Sequence, residues 1–472
     1  MVFSSVTFLF YFLPIVILLY FLVEKKYNNI VLLIASLIFY AWGEGLFVLV
    51  LLLDVIINYV FAFLIDRTEN ANTKKKYLFI AIASNLAILF YYKYIDFVIS
   101  NLNSMLKVFN KKEIPLLNVV LPIGLSFFIF QGMSYVIDVY RKEVPVQKSI
   151  FKLALYISMF PQLIAGPIVR YKDVVNDIDI RKINFDEVCS GTERFIIGIA
   201  KKVMLADILA GVSDNIFEAG AHQLSPATAW LGAICYTLQI YYDFSGYSDM
   251  AIGLGKILGF HFPENFILPY TSLSVTEFWR RWHITLGSWF RDYLYIPLGG
   301  NRRGNVYINL MIVFILTGLW HGANYTFVFW GLWHGFFVVA ERFFRKHIPT
   351  LKISGVVKYI YTMLVVIFGW IFFRSTGLGS GFRYIKALFG ILDLDDFIFY
   401  GFSYYIDGQV ILTIMVGILI STGIFKRIYD RFICRVSRNH PVLKYTALAL
   451  LLISSAAMII NGNYSPFIYF RF

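Results

Sequence analysis

From Gly304 to Ala340 the chain runs without a single Asp, Glu, Lys or Arg. A bilayer favours such a run, because its hydrocarbon core takes about 20 predominantly apolar residues per helical crossing. The run is not isolated. Residues 5–22 are apolar, and Met1 to Leu22 carries no basic residue. Without a positive n-region or a small-residue cleavage site, this segment reads as a retained first span rather than a secretory signal. Further apolar segments lie at about 28–43, 46–65, 77–95, 118–140, 150–169, 195–217, 226–243, 249–262, 304–324, 325–341, 355–373, 409–425 and 443–461. Composition agrees. The 472 residues are 59% hydrophobic and 15% charged, against roughly 45–50% and 25% in soluble domains.

The expected class is an all-α polytopic membrane protein with about eleven spans. Segments 150–169 and 249–262, interrupted by Gly or Pro, are expected to be re-entrant. No linker divides the chain, so residues 1–472 read as one integral-membrane domain, with a core at about 118–341 and C-terminal spans at about 355–461. The net charge of +13 fits Lys and Arg held in cytoplasmic loops, and nucleic acid is not an expected partner. Lys25-Lys26 and Lys74-Lys75-Lys76 are two spans apart and so share a side, expected to be cytoplasmic. The N-terminus is then extracytoplasmic.

Many chemistries are excluded. Cys189, Cys235 and Cys434 lie too far apart for a zinc ribbon or redox pair. The seven histidines lack metal-ligand spacing, so no metal is expected. HExxH, Walker A, GxGxxG before a helix and GxSxG are absent. No internal repeat supports an inverted-repeat transporter.

The informative stretch runs from Tyr242 to Gly335. Asp243-Phe-Ser245-Gly-Tyr-Ser248-Asp249 ends an apolar span, and its carboxylates either cap helices or serve binding. Ser274 and Glu277 form a capping-box pattern. Projected as one helix at about 100° per residue, 277–291 puts Glu277, Arg280, Arg281, Ser288 and Arg291 on one face and Trp279, Trp282 and Trp289 on the other. That is an interfacial amphipathic helix, with His283 at the edge of its apolar face. A loop with a Gly299-Gly300-Asn301 turn follows. Arg280, Arg281, Arg291, Arg302 and Arg303 either hold phosphates, such as the diphosphate of coenzyme A, or simply anchor the cytoplasmic side. His321 lies deep in the uncharged stretch, in Gly318-Leu-Trp320-His321-Gly-Ala-Asn324, and Leu-Trp-His334-Gly repeats part of the pattern. A buried imidazole stays neutral, as a general base must, although a core histidine is the commoner case.

Taken in order, these motifs resemble the membrane-bound O-acyltransferase family. Within it they are similar to the bacterial membrane subunits that acetylate alginate, other exopolysaccharides or cell-wall polysaccharide. The likeness includes Phe10-Tyr-Phe-Leu-Pro14, Leu121-Pro122-Ile-Gly124 and Phe160-Pro161-Gln-Leu-Ile-Ala-Gly166-Pro167-Ile-Val-Arg170. It continues through Tyr242-Asp243-Phe-Ser245-Gly-Tyr-Ser248-Asp249, Phe278-Trp-Arg-Arg-Trp-His283, Arg291-Asp-Tyr-Leu-Tyr-Ile-Pro-Leu-Gly-Gly-Asn301 and Gly318-Leu-Trp-His321. The resemblance implies a ring of tilted helices around a central funnel in the bacterial cytoplasmic membrane. It places the family's invariant catalytic histidine on His321 and a second histidine on His283. It implies no bound cofactor, a cytoplasmic thioester co-substrate (acetyl-CoA, or a D-alanyl carrier for teichoic acid), a polysaccharide acceptor and an extracytoplasmic SGNH-type acetyltransferase partner. On this reading His321 is the base, Trp320 and Trp282 line a tunnel, and Asn324 or backbone amides stabilise the oxyanion. The aromatic tail ending Tyr469-Phe-Arg-Phe472 suggests Tyr469 either as an acyl relay or as an interfacial anchor. A transporter or export component, with Asp243 and Asp249 along its path, is the alternative of a different class.

Overall fold

The computed structural model describes residues 1–348, 353–391, 401–428, 431, 441–462 and 467–468. Among them every regular element is helical. In chain order the α-helices are α1 (Leu13–Leu22), α2 (Asn28–Glu44), α3 (Val48–Arg67), α4 (Ala71–Val108), α5 (Leu125–Tyr140), α6 (Ile150–Ser158), α7 (Phe160–Leu163), α8 (Tyr171–Asp179), α9 (Phe185–Ala200) and α10 (Asp207–Glu218). They continue with α11 (Pro226–Ile257), α12 (Val275–Arg281), α13 (Ile284–Phe290), α14 (Val306–His321), α15 (Tyr325–His347), α16 (Gly355–Arg374), α17 (Leu378–Leu388), α18 (Gly408–Ser421), α19 (Ile424–Ile428) and α20 (Pro441–Ile460).

Among the described residues four helical runs are long and apolar enough to cross a membrane: Lys25–Arg67, Ala71–Val108, Gly355–Arg374 and Pro441–Ile460. The first is divided at Gly45, whose φ of 57° turns the chain from α2 into α3. Shorter apolar helices occupy Phe8–Leu22, Leu125–Tyr140, Val306–His321 and Gly408–Ser421. Three expectations change. α4 is much longer than 77–95, because Asn70 caps it ahead of the Lys74–Lys76 cluster. Segment 249–262 is not a separate re-entrant piece, since α11 runs unbroken through Asp243 and Asp249 to Ile257. The 277–291 helix is broken at Trp282–His283 into α12 and α13.

The chain forms two compact units, residues 1–192 with 251–263, and residues 193–250 with 264–472. In the first, α3, α4 and α5 pack together around buried Asp54, Asn58 and Asn85. The two asparagine amides bond reciprocally, at 3.2 and 3.0 Å, and Asn58 Nδ2 also donates to Asp54 Oδ1 at 2.8 Å. Gly132 of α5 is seated directly on them: a Cβ there would lie 2.2 Å from Asn58 Nδ2. Polar groups removed from water need such partners, because each one left unsatisfied costs several kcal/mol in hydrocarbon.

In the second unit α14 and α15 pack most closely. A Cβ on Gly318 would stand 2.2 Å from the Phe327 carbonyl oxygen, and one on Gly331 would stand 2.4 Å from that of Phe314. Small residues at both positions let the two backbones touch. Val275, Val338 and Val365 then form a core with Trp279, Phe314 and Trp333.

Candidate active site

The site begins where α12 stops. Ser274 Oγ accepts the Glu277 N–H at 3.0 Å, as the capping pattern predicts. Glu341, at the far end of α15, adds a second cap, taking the Val275 and Thr276 amides at 2.6 and 2.9 Å. Seven residues later the helix ends: Trp282 is extended, and His283 then adopts φ 44° and ψ 54°. This left-handed conformation costs a non-glycine residue about 1–3 kcal/mol unless its surroundings enforce it.

Asn265 supplies the enforcement. Its buried Oδ1 accepts from Thr285 N–H at 3.3 Å and Thr285 Oγ1 at 2.9 Å, and lies 3.0 Å from His283 Nδ1. Its Nδ2 donates to Ser248 Oγ at 3.1 Å. The Thr285 amide can only donate, so the atom facing it is the carbonyl oxygen, and His283 Nδ1 must carry the hydrogen. Nε2 is then the ring nitrogen with the lone pair. His283 is 2% exposed, and burial pushes its imidazole pKa down to about 3, which keeps it neutral.

His321 is the last residue of α14. Its ring is enclosed by Trp320, Trp330 and Phe373 at centroid distances of 5.0, 5.1 and 5.1 Å. Trp320 also meets His283, at 6.2 Å, so one indole is in ring contact with both histidines. Trp282 lies 4.8 Å from Trp370 and 5.0 Å from Phe266, whose ring also stacks on His283 at 6.5 Å.

A cavity of ≈ 480 Å³ opens beside His283. Its lining includes Arg280, Ser288, Arg291, Phe314 and Thr317. Thr317 precedes His321 by one helical turn. The volume suits a small-molecule ligand. Only two of the five arginines line it. Arg281 is turned to Glu277 at 2.6 Å and to Thr271 Oγ1 at 2.7 Å. Arg302 and Arg303 are exposed on the loop, where Gly299 and Gly300 take φ 110° and 54° in the expected turn.

The remaining candidates are placed differently. Asn324 caps α15, with Oδ1 taking the Thr326 amide at 3.0 Å and Nδ2 donating to the Thr376 carbonyl at 3.1 Å. Its amide is committed at both ends. Asp243 and Asp249 lie within α11 rather than at its end, so the capping alternative fails for both. Asp249 pairs with Arg194 at 2.8 Å and Lys201 at 2.6 Å, and Asp243 pairs with Lys202 at 2.8 Å. Gly246 and Gly198 let α9 and α11 come close enough for these pairs. Tyr469 and Cys434 lie outside the described residues.

Sequence reasoning missed Asn265, which sits 18 positions before His283 in no recognisable spacing. It also missed the role of Lys202. His334 is fully buried against Trp279 and Trp330, at 5.0 and 5.1 Å. α16 approaches it so closely that a Cβ on Gly369 would meet Nε2 at 2.3 Å, which makes His334 a packing residue here.

Comparison with known proteins gives this arrangement a context. The family model for membrane-bound O-acyltransferases matches residues 37–382. The chain is 41% identical over its full length, and that of the relative, to a probable alginate O-acetylase AlgI of Pseudomonas putida. It is 34% identical to a peptidoglycan O-acetyltransferase of Helicobacter pylori over 83% of this chain and 80% of that one. A teichoic acid D-alanyltransferase of Bacillus subtilis is 25% identical over 55% of this chain and 70% of its own. These matches and the apolar helices together make the chain a membrane acyltransferase, and it belongs to the membrane-bound O-acyltransferase family.

Proposed function

We propose that the protein moves an acetyl group from a cytoplasmic thioester, acetyl-CoA, across the bacterial cytoplasmic membrane for O-acetylation of an extracytoplasmic polysaccharide. The observation that carries this reading is the pair of histidines in contact with one indole, one of which, His283, lines a cavity with Arg280 and Arg291 in its wall. Guanidinium groups suit the diphosphate of such a donor. The relatives named for acetylation match far more of the chain than the one named for D-alanylation.

In this mechanism a hydroxyl oxygen attacks the thioester carbonyl. His321 accepts the hydroxyl proton, the C–O bond forms, the C–S bond breaks, and the proton passes to the departing sulfur. His283, held neutral with Nε2 carrying the lone pair, assists. Backbone amides are the oxyanion donors in this scheme, because the Asn324 side chain is occupied. Tyr469 is proposed to receive the acyl group first and pass it to an SGNH-type acetyltransferase partner or directly to the polysaccharide. A ring of tilted helices around a funnel and an extracytoplasmic N-terminus belong to the same proposal.

The test is His321→Ala in purified protein supplied with radiolabelled acetyl-CoA and a polysaccharide acceptor, with membrane abundance measured alongside. Loss of labelled acceptor at normal abundance is the expected result. Normal labelling removes His321 from the reaction. Labelling from a D-alanyl carrier but not from acetyl-CoA supports the D-alanyl alternative instead.

A further inference from the structure

Past the end of α20, Phe467 and Ile468 are each 1% exposed, buried like the core of their unit. The Ile468 backbone N–H donates to Asp243 Oδ2 at 2.7 Å. The other carboxylate oxygen of Asp243 lies 2.8 Å from Lys202 Nζ, which also meets Asp207 at 2.7 Å. The side chains of Lys202, Asp207 and Asp243 are 4%, 7% and 2% exposed. The Phe467 ring lies 5.0 Å from Tyr247 and 6.1 Å from Phe244, and the Phe244 ring meets His283 edge-on at 4.6 Å.

A buried amide must find an acceptor, and an ionised carboxylate is among the strongest. Lys202 already has Asp207 as a counter-charge, so a second carboxylate is not needed to neutralise it. Asp243 gives its second oxygen to the Ile468 amide. We infer that Lys202 and Asp243 form a clamp for the C-terminal tail, and that Asp243 is a positioning residue holding Phe467 and Ile468 against the aromatic wall of His283. The clamp fixes Phe467 and Ile468 beside the site. This inference rests on the proposed transfer of the acyl group through the tail.

The test separates the clamp from the reaction. Ile468→Pro removes the single N–H without touching the buried ion pair, and Asp243→Ala removes the acceptor. In full-length purified protein, carboxypeptidase should trim the C-terminus of both variants on the order of ten-fold faster than wild type. Acetyl transfer to the acceptor should fall by a similar factor in kcat, with the KM for acetyl-CoA unchanged. Asp243→Asn keeps an acceptor oxygen and should restore much of the protection. An Ile468→Pro tail as resistant as wild type overturns the clamp. Faster trimming with transfer intact overturns the positioning role. Absence of any acetyl-CoA turnover by wild type counts against the proposed function alone, because the trimming comparison needs no turnover.

Discussion

Replacing Asn265 with Ala tests the arrangement around His283 more sharply than replacing the histidine itself. The substitution removes four contacts: His283 Nδ1, the Thr285 amide, the Thr285 hydroxyl and Ser248 Oγ. At about 0.5–1.5 kcal/mol net for each hydrogen bond, some 2–6 kcal/mol of local stabilisation is at stake. Part of this holds His283 in its left-handed conformation, and part fixes which ring nitrogen bears hydrogen. Without Asn265, molecules with the hydrogen on Nε2 offer no lone pair to the reaction. Loss of roughly 1.4–2.8 kcal/mol from the transition state is expected, a 10- to 100-fold fall in kcat. The KM for acetyl-CoA should hold, because Arg280 and Arg291 are untouched. Release of coenzyme A thiol, followed colorimetrically with purified protein, gives both constants. Asn265→Asp still accepts from Nδ1 and Thr285, so it should recover most of the rate. An Asn265→Ala enzyme with wild-type kcat refutes the argument. So does an Asn265→Asp enzyme as impaired as the alanine variant at equal abundance.

Three further outcomes follow from other parts of the molecule. Arg280→Ala combined with Arg291→Ala should raise the KM for acetyl-CoA several-fold and flatten its dependence on ionic strength, measured by the same thiol release; an unchanged KM removes the cavity from donor binding. Gly318→Ala drives a Cβ to 2.2 Å from the Phe327 carbonyl, an overpacking of about 1–3 kcal/mol, and should lower the thermal midpoint in detergent. Burial acts to lower the His261 pKa, but hydrogen bonds to Glu187 and Asp177 and their charges outweigh it, so the pKa is raised from 6.5. A raised pKa gives stability that is full below 6.5 and fades as pH rises through the higher folded value. The midpoint should therefore drift down on the alkaline side of 6.5 in wild type and not in His261→Gln, by an amount under about 1 kcal/mol because the pair is exposed.

What the sequence disclosed depended on how local the cause was. Ser274 as a helix cap, Gly299-Gly300 as a turn and His321 within an uncharged run are all properties of neighbouring residues, and each stands where it was expected. The break at His283 was invisible to a helical projection, which assumes a continuous helix. Its cause is Asn265, brought in by folding. The Asp243–Asp249 segment, rich as it is in Gly, Ser and Asp, reads as the end of a span. It is helical because Arg194, Lys201 and Lys202 arrive from another stretch of chain to meet its carboxylates. Trp282 follows the same logic. Its indole packs on Trp370 and on Phe266, a ring it shares with His283, and these contacts come from distant stretches of chain.

The Asp54–Asn58–Asn85 network bears on how the chain enters the membrane. An α3 released alone into lipid would keep the Asn58 Nδ2 bond to Asp54 Oδ1 but leave the Asn58 carbonyl oxygen without its donor. Asn85, on the next helix and 27 positions downstream, supplies the donor to Asn58 Oδ1. Insertion as a paired helical hairpin, α3 with α4, avoids the exposed intermediate. α5 follows later in synthesis, and Gly132 then closes over a polar seam that is already zipped. A bulkier residue at position 132 would be felt at this assembly step, as poor yield of inserted protein, before it was felt in any catalytic constant.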